Sequence, residues 1–175
     1  RDLRTETPFA LEDMEKIVVH GSQVTVDHVG WSYRPEGLTS AQLNLPFCVA
    51  TLLLEGDVFV DQFTPDCVDN AERIALSRKV GVVHDPEITA LGSKFRHKVR
   101  VDIHLRDGRI LQAMREAPRG SEFSFASAED IIEKFKKLAV KALPSEQVDR
   151  LVAAVMNMED LDDAGEAASF PHFGG

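Results

Sequence analysis

Apolar and polar residues alternate along two parts of the chain, which is the period of a half-buried β-strand. In the first part, we expect a strand over residues 15–20 with an extended continuation to Val29. In the second part, residues 94–115, the alternation predicts an antiparallel hairpin that reverses at Asp107-Gly108 through a type I′ turn. Both patterns place one face of each strand in a core and the other face in water.

Helical periodicity and helix-start signals account for much of the remaining chain. Residues 127–142 carry one apolar stripe and an acidic first turn, as the helix dipole favours, and a second helix restarts at Pro144. A shorter helix is expected over residues 65–76, since a proline suits its first position and Asp69 and Glu72 have the spacing of a capping box.

A mostly buried helix is predicted over residues 39–56, and the rest of the chain is organised around it. Thr39 and Gln42 have capping-box spacing at its start, and Gly56 suits a left-handed helix stop. Pro46 interrupts the pattern, because a proline removes one backbone hydrogen bond from a helix interior. The helix therefore either bends at Pro46 or begins there after an ordered polar entry.

These elements predict an α+β fold. We expect a small, mainly antiparallel sheet of about four strands, with the apolar segment 79–84 as one of them, and helices packed on one face. The α+β domain is expected over residues 1–143, C-terminal helices over residues 144–168, and a frayed tail over residues 169–175.

Composition and charge disfavour several classes of function. The net charge of -9 argues against nucleic acid and anionic membranes as partners, because both require a basic surface. No apolar run is long enough to span a bilayer, and the first residues show no signal-peptide pattern. Cys48 and Cys67 lack metal-site or redox spacing and the histidines are scattered, so we expect no metal and a cytoplasmic location.

One stretch resembles a known family. Thr39–Phe47 (Thr-Ser-Ala-Gln-Leu-Asn-Leu-Pro-Phe), followed by Glu55–Val58, is similar to the central motif of the MmgE/PrpD family. That family includes methylcitrate dehydratases, cis-aconitate decarboxylases and an iminodisuccinate epimerase. The hairpin and the helix over residues 127–138 resemble later parts of the family's sequence in the same order.

The resemblance implies a cofactor-independent lyase or isomerase that acts on a small polycarboxylate by proton abstraction next to a carboxylate. It also implies a longer parent protein, in which the site lies between a large helical domain and a smaller α+β lid. This chain resembles the lid and the C-terminal helices. Most catalytic groups are then expected on an N-terminal helical domain, its implied partner, so the chain alone should have no turnover. The resemblance also implies that the parent protein forms a homodimer.

The candidate substrate-binding residues are polar groups near the start of the central helix, one basic clamp and two aromatic walls. They are Ser40, Gln42 and Asn44 as hydrogen-bond donors, Arg34 as the clamp, and Tyr33 and Phe47 as the walls. Phe47 stands where several family members place a tyrosine, and a phenyl ring cannot donate a proton. The alternative to a lid domain is a non-catalytic binding or assembly module with the same fold.

Overall fold

The computed structural model describes residues 2–160 and residue 165, and it contains a four-stranded sheet. The strands are β1 (Met14–Gly21), β2 (Val80–His84), β3 (Val99–Leu105) and β4 (Ile110–Arg115). The α-helices are α1 (Asp2–Glu6), α2 (Gln23–Val29), α3 (Leu38–Gln42), α4 (Leu45–Glu55), α5 (Pro65–Val68), α6 (Ala71–Ser77), α7 (Pro86–Ala90), α8 (Ala128–Ala139) and α9 (Ser145–Met156). Tertiary contacts divide the chain into two compact units, residues 1–118 and residues 119–175.

The strands of the first unit follow the order β2-β1-β3-β4. Strand β1 is parallel to β2 and antiparallel to β3, and β3 is antiparallel to β4. This topology confirms the predicted α+β fold with a mainly antiparallel sheet. It also means that β1 and β2 end where β3 begins, because Gly21 lies opposite both His84 and Val99. We call this end of the sheet, defined by Gly21, His84 and Val99, the Gly21 edge.

One face of the sheet carries the core of the first unit. Ile17, Val19 and Ile103 are almost completely buried on it, and Ala50 and Leu53 of α4 belong to the same cluster. Burial of a side chain of this size contributes roughly 1.5–3 kcal/mol to stability. The period-2 pattern that predicted the strands therefore also predicted which face the helices cover.

The structure corrects the predicted extended continuation of β1, because residues 23–29 form helix α2. Ser22 has an extended backbone, and its hydroxyl accepts a hydrogen bond from the Thr25 N–H, which makes it the N-cap of this helix. The alternating valines were a misleading signal, since α2 leaves Val24 exposed to solvent.

The central stretch forms two helices, and the second of the two predicted alternatives holds. Helix α4 begins at Leu45 with Pro46 in its first turn, where a proline sacrifices no helical hydrogen bond. Asn44 supplies the side-chain cap of α4, and the predicted cap at Thr39 is wrong because Thr39 lies inside α3. The predicted stop at Gly56 is confirmed by its φ of 76°.

Two further local predictions are wrong in detail. The sequence predicts one helix over residues 65–76, but the structure has two, α5 and α6. Asn70, not Asp69, caps α6, because its side-chain oxygen accepts a hydrogen bond from the Arg73 N–H. The hairpin turn is not type I′, which requires a positive φ at Asp107, because only glycines among the described residues have positive φ. Gly108, with φ 87°, supplies the left-handed position alone.

The second unit contains α8 and α9, both at predicted positions. Ser127 and Asp130 form a capping box at the start of α8, and Arg119 pairs with Asp130. An apolar groove of about 240 Å³ is lined by Ile131, Ile132, Phe135, Leu151, Val152, Val155 and Met156. Within the described part of the chain, no helix is both long and apolar enough to cross a membrane.

Replacement of Gly30 by alanine should destabilise the first unit. A Cβ at this position would lie 2.7 Å from the Val26 carbonyl oxygen and 3.1 Å from the Val82 Cβ. Main-chain atoms cannot swing aside, so we expect Gly30→Ala to lower the free energy of unfolding in urea by about 2 kcal/mol. Gly81→Ala is the matched control, because its nearest neighbouring atom is 4.0 Å away and its strand should gain slightly from alanine. Equal losses in both variants would contradict this packing.

Candidate functional site

Asn44 joins the loop before α3 to the start of α4. Its Oδ1 accepts a hydrogen bond from the Phe47 N–H at 2.9 Å, and its Nδ2 donates to the Trp31 carbonyl oxygen at 2.7 Å. The side chain is completely buried. Because Pro46 has no N–H and the Phe47 N–H is already bonded, the start of α4 offers little to an anion. In this structure Asn44 positions the motif and does not face solvent.

An aromatic cluster brings the two predicted walls together. The rings of Tyr33 and Phe47 are stacked with centroids 4.2 Å apart, and the Phe63 ring centre lies 6.4 Å from that of Phe47. Ala41 of α3 and Val68 of α5 complete the cluster. Phe47 is completely buried, so of the two predicted walls only Tyr33 reaches the surface.

A buried arginine contacts the same cluster. Arg73 is only 4% exposed, and its guanidinium carbon lies 5.7 Å from the centre of the Phe47 ring. It donates to the Gln62 carbonyl oxygen at 2.8 Å and to the Thr51 hydroxyl at 3.4 Å, and it pairs with Glu55. A buried charge is tolerated only with such partners, so Arg73 holds α6 to α4. Sequence reasoning missed it because its partners are distant along the chain.

Three predicted residues remain accessible to a ligand. Arg34 follows Tyr33 and is exposed, while the half-buried Ser40 and the exposed Gln42 flank Ala41 on α3. Their chain neighbours Tyr33 and Ala41 belong to one cluster. A guanidinium, a hydroxyl and an amide can bind a carboxylate, but none of them is a general base near neutral pH.

The thiol of Cys48 ties α4 to the end of α3. Its Sγ donates to the carbonyl oxygens of Ala41 and Gln42 at 3.6 Å and 3.5 Å. Burial raises the pKa of the Cys48 thiol, so the neutral donor is the form present at neutral pH. Cys48 is therefore a structural residue here and not an activated nucleophile.

A second polar cluster lies on the outer face of the sheet. The Nε2 of His20 lies 2.9 Å from the Asp102 carboxylate, and the Gln112 amide donates to the same carboxylate at 3.0 Å. Alternation had placed Asp102 on a polar face, but only the register, which pairs Asp102 with Val18 and with Gln112, shows which residues meet there. This histidine–aspartate pair faces away from the apolar cavity of about 340 Å³ that Ile17 and Ile103 line on the core face. Among the described residues, no cluster of three or more His, Cys, Asp or Glu side chains could hold a metal ion.

Removal of the Asn44 amide should cost more stability than loss of an ordinary helix cap. Asn44→Ala removes the cap, worth about 1 kcal/mol, and also the hydrogen bond to the Trp31 carbonyl, worth about 1 kcal/mol more. Asn70→Ala is the matched control, because Asn70 caps α6 through the same kind of bond but is exposed. Urea unfolding followed by fluorescence of Trp31, the only tryptophan, should show about twice the loss in Asn44→Ala. Equal losses would contradict the bridging role.

Tyr33 is the only tyrosine of the chain, so ultraviolet absorbance reports its ionisation directly. Burial raises the pKa of Tyr33, the charge of Asp69 raises it further, and Arg73 opposes the shift. Tyr33 should therefore ionise at a higher pH than free tyrosine, whose pKa is about 10. Since the unfolded chain releases this proton first, its contribution to stability is complete below about pH 10 and falls as the pH rises further. Asp69→Asn should lower the ionisation midpoint, and an unshifted midpoint in the unmodified chain would contradict the burial.

The chain is similar in sequence to a known protein family and to two curated proteins. The family described as "MmgE/PrpD C-terminal domain" matches residues 1–160. The chain is 28% identical over 158 residues to the cis-aconitate decarboxylase-like protein oryM of Aspergillus oryzae (strain ATCC 42149 / RIB 40), which covers 89% of this chain and 32% of that protein. It is 25% identical over 155 residues to the cis-aconitate decarboxylase of Mus musculus, which covers 89% of this chain and 31% of that protein. The chain thus spans about a third of the length of these curated relatives. It belongs to the MmgE/PrpD family and corresponds to the C-terminal domain of that family.

Proposed function

We propose that this chain is the substrate-covering domain of a cofactor-independent lyase or isomerase that acts on a small polycarboxylate. The observation that carries the proposal is the match to the MmgE/PrpD C-terminal domain over residues 1–160, together with the folding of the family's motif into α3 and α4. The names of the two relatives make cis-aconitate the first substrate to test and decarboxylation the first reaction.

The accessible side chains suit binding and not proton transfer. The Arg34 guanidinium can engage a carboxylate with two parallel hydrogen bonds, and the Ser40 hydroxyl and Gln42 amide can donate to a second carboxylate. Phe47 supplies no hydroxyl, and Tyr33 donates its own to the Val68 carbonyl oxygen at 3.0 Å. In this proposal the groups that remove and return protons lie on another part of the protein, and this domain holds the substrate against them.

The second unit supports a helical partner for this domain. The groove on α8 and α9 is apolar, and the exposed fractions of Ile131 and Met156 are 61% and 56%. Exposed apolar surface of this kind marks a contact with another protein segment. In the proposal, that segment is a helical domain N-terminal to this chain in the parent protein. A homodimer and a cytoplasmic location stay predictions.

The experiment compares the chain alone with the chain joined to an N-terminal helical portion of the family. We expect no decarboxylation of cis-aconitate by the chain alone and measurable turnover by the joined protein, followed by NMR. In the joined protein, Arg34→Gln should raise KM at least about tenfold with a smaller change in kcat, because a charged hydrogen bond to the ground state is lost. Arg106→Gln, which removes an exposed arginine of the hairpin loop, is the control and should change neither constant. Turnover by the chain alone would contradict a divided site.

A binding or assembly module is the second candidate, favoured by the buried Phe47 in place of an acid–base tyrosine. The same joined protein separates the two functions. Binding of cis-aconitate without turnover, weakened by Arg34→Gln, would favour the module. Turnover that depends on Arg34 would favour the enzyme.

A further inference from the structure

Residues 94–100 form a short basic segment in an acidic chain. The net charge of the chain is -9, yet residues 94–100 contain four basic residues and no acidic residue. The basic residues are Lys94, Arg96, Lys98 and Arg100, and His97 lies among them. We call residues 94–98 the basic loop. Its position and contacts determine whether this charge is available to a ligand.

The basic loop connects α7 to β3 and lies at the Gly21 edge of the sheet, because β3 begins at Val99. Two buried or half-buried hydroxyls anchor it. Ser22 donates to the Arg96 carbonyl oxygen at 2.7 Å, and Thr25 donates to the same oxygen at 3.1 Å. Ser22 is only 3% exposed. The loop is therefore fixed to the start of α2 through its main chain, and the side chain of Arg96 takes no part in this anchoring.

Neighbouring loops at the Gly21 edge are joined in the same way. The Gln23 N–H donates to the Thr89 hydroxyl at 3.0 Å, and His84 Nε2 lies 2.9 Å from that hydroxyl. The Asp85 N–H donates to the Gly21 carbonyl oxygen at 2.8 Å. A surface fixed by several main-chain bonds loses little conformational entropy when it binds a ligand.

The basic residues differ in whether a carboxylate lies close to their positive charge. Lys98 pairs with Glu116 at 3.2 Å, and Arg100 lies 3.7 Å from Asp102. Arg96 differs, because its Nε donates to the neighbouring His97 Nε2 at 3.0 Å and, among the described residues, no carboxylate lies within ion-pair distance of it.

Arg96 and His97 together form an array of donors. Both side chains are exposed. The bond between them leaves the terminal nitrogens of the guanidinium unused, and a neutral His97 that accepts at Nε2 carries its proton on Nδ1. Both side chains therefore have N–H groups available to an acceptor in solvent. A guanidinium with unused parallel N–H groups is suited to the oxygens of a carboxylate or a phosphate.

We propose that the basic loop is a binding site for a compact multivalent oxyanion, with Arg96 and His97 as its ligand-binding residues. A long polyanion such as nucleic acid extends beyond the loop and is repelled by the acidic remainder of the chain. A small anion senses mainly the charge within a Debye length, about 8–10 Å at physiological ionic strength. The site shares no residue with the aromatic cluster and does not depend on the proposed enzymatic function.

The test is a titration of the isotopically labelled chain with citrate and, separately, with inorganic phosphate at low ionic strength, monitored by NMR. We expect saturable shifts of the amide signals of residues 94–98 that weaken as salt is added. Arg96→Gln should bind roughly tenfold more weakly, and His97→Ala should also bind more weakly. Both variants should fold, because the loop is anchored through the Arg96 carbonyl and not through its guanidinium.

Arg109→Gln is the matched control. Arg109 is an exposed arginine in the hairpin connection, at the opposite end of β3, and it is already paired with Asp107 at 2.7 Å. This variant should bind both anions as the unmodified chain does. Binding of either anion that depends on Arg96 supports the site. The anion that binds more tightly shows whether the site prefers a carboxylate or a phosphate. Absence of binding, or equal binding in Arg96→Gln and Arg109→Gln, would overturn the proposal.

Discussion

The side-chain amide of Asn44 makes hydrogen bonds to the main chain of two segments at once. The position of the accessible candidate residues depends on these two hydrogen bonds. Its oxygen holds the first turn of α4, and its nitrogen holds the Trp31 carbonyl. The loop that leads to Tyr33 and Arg34 is thereby fixed relative to the helix that carries Phe47. The Asn44 side chain is completely buried and both of its polar atoms are bonded, so in this structure it positions the motif, while Ser40 and Gln42 of the same motif remain accessible.

Buried charges in the first unit follow one rule, although they lie in different places. Arg73 is surrounded by a carbonyl, a hydroxyl and a carboxylate. Asp102, on the opposite face of the sheet, is held by His20 and Gln112. In each case partners from separate elements compensate the cost of removing a charge from water. These groups stabilise the packing of the domain, whereas the exposed Arg34 and Arg96 remain available for charge recognition.

The proposed division of labour within a longer parent protein rests on which groups this domain contains. The chain covers about a third of its curated relatives, and its accessible candidate residues are hydrogen-bond donors. Donors fix the orientation of a carboxylate, but proton abstraction needs a base placed against the substrate. The proposed division of the site between two domains accounts for both observations with one arrangement.

Local patterns in the sequence determined the parts of the fold that depend on residues a few positions apart. The alternation in β3 and β4, the acidic helix start at residue 127 and the stop at Gly56 all belong to this class. The family's motif could also be identified from the sequence. Hydrogen bonds between neighbours and the period of burial are encoded locally, which is why these predictions were confirmed.

Only the tertiary structure decided which distant groups meet. His20 and Asp102 are 82 positions apart, and the strand register alone brings them together. Residues 23–29 became a helix because Ser22 caps it and Gly30 allows close approach to β2, neither of which the alternation of valines reveals. Phe47 proved to be buried because Tyr33, Phe63 and Arg73 close around it from three other segments. Long-range packing selects among locally permitted structures, since the free energy of burial exceeds the small preferences of the local sequence.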